Sequence, residues 1–177
     1  MRLPYLTVLA VFGLLLAASS SVAAPPARPV TGTMSGTAVT GVASFCPAGT
    51  ISESGIVDAT FLGSGTYTGT VTTSSCLFPP FCCGASSDPY PVAATFTFSG
   101  RGGSFTASGT GTGVTDGGAH TDDYAFDLDL TIGGGTGRYR HATGSLTVEA
   151  FAVVFLMDGT EASNGTIDGS ISIGGRP

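Results

Sequence analysis

The 177-residue chain carries six arginines, no lysine and twelve acidic residues, for a net charge of −6. A nucleic-acid surface needs clustered positive charge, so this composition excludes one. Its 28 glycines penalise helix interiors, and the length suits one domain with a real core.

Residues 1–24 read as a signal peptide. Arg2 gives a positive start, Leu6 to Ala18 is an apolar stretch, and Ala23 and Ala24 offer a small-residue cleavage site. The apolar run is short for a membrane span and nothing basic follows it closely, so the expected product is secreted and extracellular, with no span after cleavage. Cleavage would leave twelve acids against five arginines. That surplus keeps a Gly- and Thr-rich surface in solution. Residues 25–29 read as a proline-rich leader, and 30–177 as the folded domain.

Val30 to Val39 is a strand of modest strength, since threonine favours strands and glycine does not. Ile56 to Phe61 and Tyr67 to Thr73 read as a hairpin turning at Gly63, Ser64 and Gly65. Residues 74–91 hold Cys76, Cys82, Cys83 and several prolines with no period, which reads as a long loop. With Cys46 there are four cysteines and three full pairings. Adjacent Cys82 and Cys83 face different partners in this reading. Secretion permits bridges, so a disulfide staple of this loop is expected. The cysteines lack the paired spacing of a zinc knuckle.

Ala93 to Ser99 and Ser104 to Ser108 alternate cleanly around Gly100, Arg101 and Gly102, which predicts a hairpin. Residues 110–123, rich in glycine and aspartate, read as turn or loop. Phe126, Leu128, Leu130 and Ile132 alternate with Asp127, Asp129 and Thr131, a strand with one apolar face. Leu146 to Met157 begins with alternation and becomes apolar on both faces, so it is buried twice over. Its second face, with Phe151, Val153, Phe155 and Met157, suggests either a cavity lining or a homo-oligomer contact. Thr166 to Ile173 puts Ile167, Ile171 and Ile173 on one side. About eight strands and no helix predict an all-β barrel or sandwich, since either buries one face of every strand.

Between the two central strands runs Leu130-Thr-Ile-Gly-Gly-Gly-Thr-Gly-Arg-Tyr-Arg-His-Ala-Thr-Gly-Ser-Leu146. It resembles the GGTGRF-x-GA-x-G signature of the allene oxide cyclase-like barrel superfamily, which includes the dirigent proteins and many secreted bacterial proteins. Asn164 to Ile171 resembles the final strand of the bacterial members. The resemblance implies a single closed antiparallel β-barrel of about eight strands, lipocalin-like in general shape, with an interior able to hold a small apolar molecule. It makes Gly134, Thr136, Gly137, Arg138, Tyr139 and Gly144 turn residues of the fold. It implies no catalytic residue.

A phosphate-cradling role for the glycines fails, because a strand follows them where a helix is required. The weak catalytic candidates are Glu149, Tyr139, His141, Asp127 and Asp129. Asp127 and Asp129 share a strand face and, if turned inward, would raise one another's pKa. The simpler reading leaves both in water. Glu149 interrupts an apolar strand, which suggests an ion pair with Arg138 or Arg140. His120 and His141 have no fixed ligand spacing, and Asp116, Asp122 and Asp123 lack the order of a calcium loop, so no metal or cofactor is expected. Asn164-Gly165-Thr166 fits a glycosylation acceptor, which marks an exposed turn.

The function expected is non-catalytic: a secreted barrel with room for a small apolar ligand. One alternative is an isomerase, cyclase or stereochemistry-directing protein of the resembling family. The other is a structural or surface-adhesive protein, which would require regular Thr-x-Thr ranks.

Overall fold

The structure is a computed structural model. It describes residues 25–40, 49–73, 89–115, 123–155 and 160–174, with backbone alone at 40, 115, 123–124, 151–155 and 160–161. Eight strands form one closed barrel in chain order: β1 (Arg28–Thr40), β2 (Gly49–Ala59), β3 (Gly63–Thr73), β4 (Tyr90–Gly100), β5 (Gly103–Thr115), β6 (Asp123–Gly135), β7 (Ala142–Phe155) and β8 (Thr160–Ile173). Each pairs antiparallel with the next, and β1 pairs with β8, so no strand edge is left open.

The register sets the width. A row of partners that leaves β1 at Thr40 passes through Ile51, Val71, Ala94, Gly109, Leu130, Leu146 and Gly169. It re-enters β1 at Val30, ten residues away. Eight strands with such a stagger enclose a space that side chains fill or that holds one small ligand.

Alternation decides the faces. Phe126, Leu128, Leu130 and Ile132 are buried inward, while Asp127, Asp129 and Thr131 face out. Leu146, Val148, Ile167, Ile171, Phe96 and Phe98 share that interior. The outward side is mostly threonine and serine, unlike the apolar band that a membrane-spanning barrel presents. Among the described residues no helix is long and apolar enough to cross a membrane.

Aromatic side chains fill the interior because glycines make way for them. The Phe96 ring lies where a Cβ on Gly69 would stand, 2.3 Å from that position. Tyr67, Phe96, Phe98, Phe105 and Tyr139 form a continuous run of rings with successive centroids 6.2, 5.9, 5.2 and 5.4 Å apart. Around Val30, Phe98, Phe105 and Leu146 the remaining void is only about 10 Å³, so this end of the barrel is solid.

The solid end is closed by short connections. β2 turns into β3 through residues 60–62, and β4 into β5 through Arg101 and Gly102. The β6–β7 connection contains a 3-10 turn, Gly137–Tyr139. It folds onto the β4–β5 turn: Thr136 N–H donates to Ser104 O at 2.7 Å, and Arg138 N–H to Gly102 O at 2.9 Å. Gly137 (φ +56°) has to be glycine, since a Cβ there would meet Gly102 O at 2.2 Å. A β-bulge opposite Phe105–Ala107 places Gly134 at φ +94° just before this connection.

Several expectations are corrected. The disulfide staple is not borne out: no disulfide bond is present, and Cys46, Cys76, Cys82 and Cys83 lie outside the described residues. A bridge requires Cα atoms about 4.4–6.8 Å apart, and the ladder that joins β8 to β1 closes this fold without a covalent staple. Residues 110–115 are strand rather than loop: Gly109, Gly111 and Gly113 pair with Leu130, Leu128 and Phe126, and the missing Cβ atoms let the β6 backbone approach Gly109 and Gly111 and the Tyr90 ring lie against Gly113. β1 begins at Arg28 and includes Pro29, so the leader is in part strand. The β2–β3 turn lies before Gly63, and Phe61 adopts φ +90° within it. The sandwich alternative gives way to the barrel.

Candidate functional site

The inward face of β2 contains one charged residue. Glu53 is 4% exposed, and its Oε2 has no hydrogen-bond partner. It alternates with Ile51, Gly55 and Val57 on the face that the closed sheet turns inside. Its register partners are Ala38 on β1 and Gly69 on β3, and the Phe96 ring lies over Gly69. The carboxyl group therefore stands beside an aromatic wall. Burial raises its pKa from 4.5 to about 7, because the ionised form loses its hydration.

Tyr67, also fully buried, sits one pleat along β3. Its hydroxyl reaches across β2 and β1 to Ser163 on β8, 3.1 Å away. Gly55 and Gly36 make that reach possible. A Cβ on Gly36 would meet the hydroxyl at 2.7 Å, and one on Gly55 would meet the ring at 2.8 Å. Burial raises the Tyr67 pKa; the Ser163 hydrogen bond lowers it and the Glu53 charge raises it. Glu53, Tyr67 and Ser163 thus form a polar belt inside a largely apolar barrel. Ala38, the register partner of Glu53 on β1, is small and fully buried.

The residues singled out from sequence lie elsewhere. Asp127, Asp129, Glu149 and His141 are exposed. Asp127 and Glu149 are register partners on the outer wall and face a groove of about 610 Å³, floored by Val114 and Ala125. This groove is larger than the void at the closed end of the barrel, yet its acids are exposed, so we place the site at Glu53. Thr147 Oγ1 donates to Asp129 at 3.3 Å. Glu149 is not a buried acid, and Arg138 is engaged otherwise. Its guanidinium donates to Phe61 O and Tyr139 Oη, and lies 5.4 and 4.7 Å from the ring centres of Phe61 and Tyr139.

Tyr139 does face inward, at the closed end. It is fully buried and donates to Phe61 O at 3.0 Å, so it plugs the barrel floor. Thr136 Oγ1 accepts from Ser104 N–H at 3.0 Å. His120, Asp116 and Asp122 lie outside the described residues, as do Met157 and the side chains of Asp123, Phe151, Val153 and Phe155. Among the described residues no group of three His, Cys, Asp or Glu could hold a metal ion.

Sequence reasoning missed Glu53, Tyr67 and Ser163. The signal for Glu53 was the period of β2, obscured by Ile56, which is 63% exposed on the opposite face. Nothing local joins Ser163 to Tyr67, 96 residues away.

The outer face of β3–β5 has its own regularity. Thr66, Thr68, Thr70 and Thr72 stand in a row beside Thr95 and Thr97 and then Thr106, Ser108 and Thr110, around a depression of about 330 Å³. Compared with known proteins, the chain matches no family model, no curated protein and no solved structure.

Proposed function

We propose that the protein is a secreted binding barrel that takes a small, largely apolar molecule into its interior, with Glu53 as the group that recognises the ligand's polar end. The observation that carries this reading is the buried carboxyl oxygen without a partner. Such an atom costs about 1–3 kcal/mol or more, a cost offset when a ligand donates to it. The Tyr67–Ser163 pair holds the wall beside it, and the aromatic run closes the floor beneath. The closed barrel and the Gly134–Tyr139 connection are also what the resemblance to the allene oxide cyclase and dirigent proteins implies, and we assign the chain to that type on this basis. The test is native mass spectrometry of protein purified from its own source. A co-purified small molecule, lost from Glu53→Gln, supports the reading. Wild-type protein carrying no small molecule, and taking none up from a lipid and metabolite extract, overturns it.

A second reading rests on the Thr-x-Thr ranks of β3 and β5, which an adhesive protein requires. Ordered hydroxyls about 4.8 Å apart across strands and 6.8 Å apart along them suit a repeating polar surface such as an insoluble glycan. Thr70→Lys with Thr95→Lys would abolish sedimentation with that glycan, and unchanged sedimentation would exclude the face.

A further inference from the structure

We infer that the interior site selects an organic cation, an apolar molecule ending in one protonated amine; the inference rests on the binding reading above. Three observations point to a cation. The chain contains no lysine, and the described arginines, Arg28, Arg101, Arg138 and Arg140, are all exposed, so none of them meets Glu53 inside. The acceptor that stands unmet is an acid: the hydroxyls of Tyr67 and Ser163 share one hydrogen bond, while Glu53 Oε2 accepts from nothing. The Tyr67 and Phe96 rings, with centroids 6.2 Å apart, stand at the inward positions next to Glu53 in the register, and aromatic faces attract a cation.

An ammonium group supplies three donors and a positive charge, and a charge-assisted hydrogen bond is about twice as strong as a neutral one. A ligand carboxylate would meet a like charge, with no cation among the described interior residues to relieve it. Among the described side chains the titratable group that the register places beside Glu53 is Tyr67 on β3, and Ser163 on β8 is its partner. Neither of these is cationic.

The test titrates the full chain with octylamine, 1-octanol and octanoate by calorimetry at pH 7.5. Octylamine is expected to bind about tenfold or more tighter than octanol, and octanoate weakest. Glu53→Gln is expected to remove the advantage of the amine over octanol. As a second measurement, saturating octylamine should lower the titration midpoint of the Glu53 carboxyl carbon, followed by NMR, by about one pH unit. Octanol binding as tightly as the amine, or an amine preference that survives Glu53→Gln, overturns the inference and leaves the binding reading standing. Failure of all three probes to bind overturns both.

Discussion

Replacing Glu53 by glutamine removes one buried ionisable group and keeps its shape. The folded carboxyl titrates near 7 and the unfolded one near 4.5. Below pH 4.5 both states hold the proton and stability is independent of pH. Between 4.5 and 7 the folded state holds a proton that the unfolded state has released. Unfolding then releases a proton, and stability falls as pH rises. Above 7 both are ionised and the loss is complete. At about 1.4 kcal/mol per pH unit, the rise from 4.5 to about 7 amounts to about 3 kcal/mol. The assay is urea denaturation of wild type and Glu53→Gln at pH steps from 4 to 8.5. Other carboxylates cancel in the difference between the two proteins. That difference should grow in favour of the variant by about 3 kcal/mol across the window and level off above it. A flat difference would refute the burial argument, and with it the claim that the carboxyl group is shut away from water.

Tyr67→Phe should cost about 1–3 kcal/mol, because it leaves the buried Ser163 hydroxyl unpaired; adding Ser163→Ala should restore part of the loss, read as a double-mutant cycle by urea denaturation. Tyr139→Ala should cost about 3–5 kcal/mol by opening the barrel floor, whereas Tyr139→Phe, which loses only the bond to Phe61 O, should cost about 1 kcal/mol. In a thermal scan the two should stand well apart, at roughly 2–4 °C per kcal/mol. Gly55→Ala drives a Cβ to 2.2 Å from Ser35 O and against the Tyr67 ring, so it should lower stability by roughly 1–3 kcal/mol; an unchanged melting temperature would show that β1 and β2 can separate without loss.

What could be read along the chain was parity. Phe126, Leu128 and Leu130 alternate with acids, and that pattern holds wherever the strand is put, because successive side chains point to opposite faces. The hairpin at Arg101–Gly102 was equally legible, since two glycines beside a short polar turn allow few alternatives. Glu53 was not legible. Its strand offers Ile56 to one face and Val57 to the other, and hydrophobicity alone does not say which is the core. Closure of the sheet decides it: the neighbours β1 and β3 fix the register, and the register sends Glu53 inward and leaves Ile56 in water. The meeting of Tyr67 with Ser163 has the same origin. Two residues far apart in sequence touch only because β8 returns to β1 and two glycines clear the path between them. Periodicity is a property of one strand, whereas a site inside a barrel depends on the stagger of all eight.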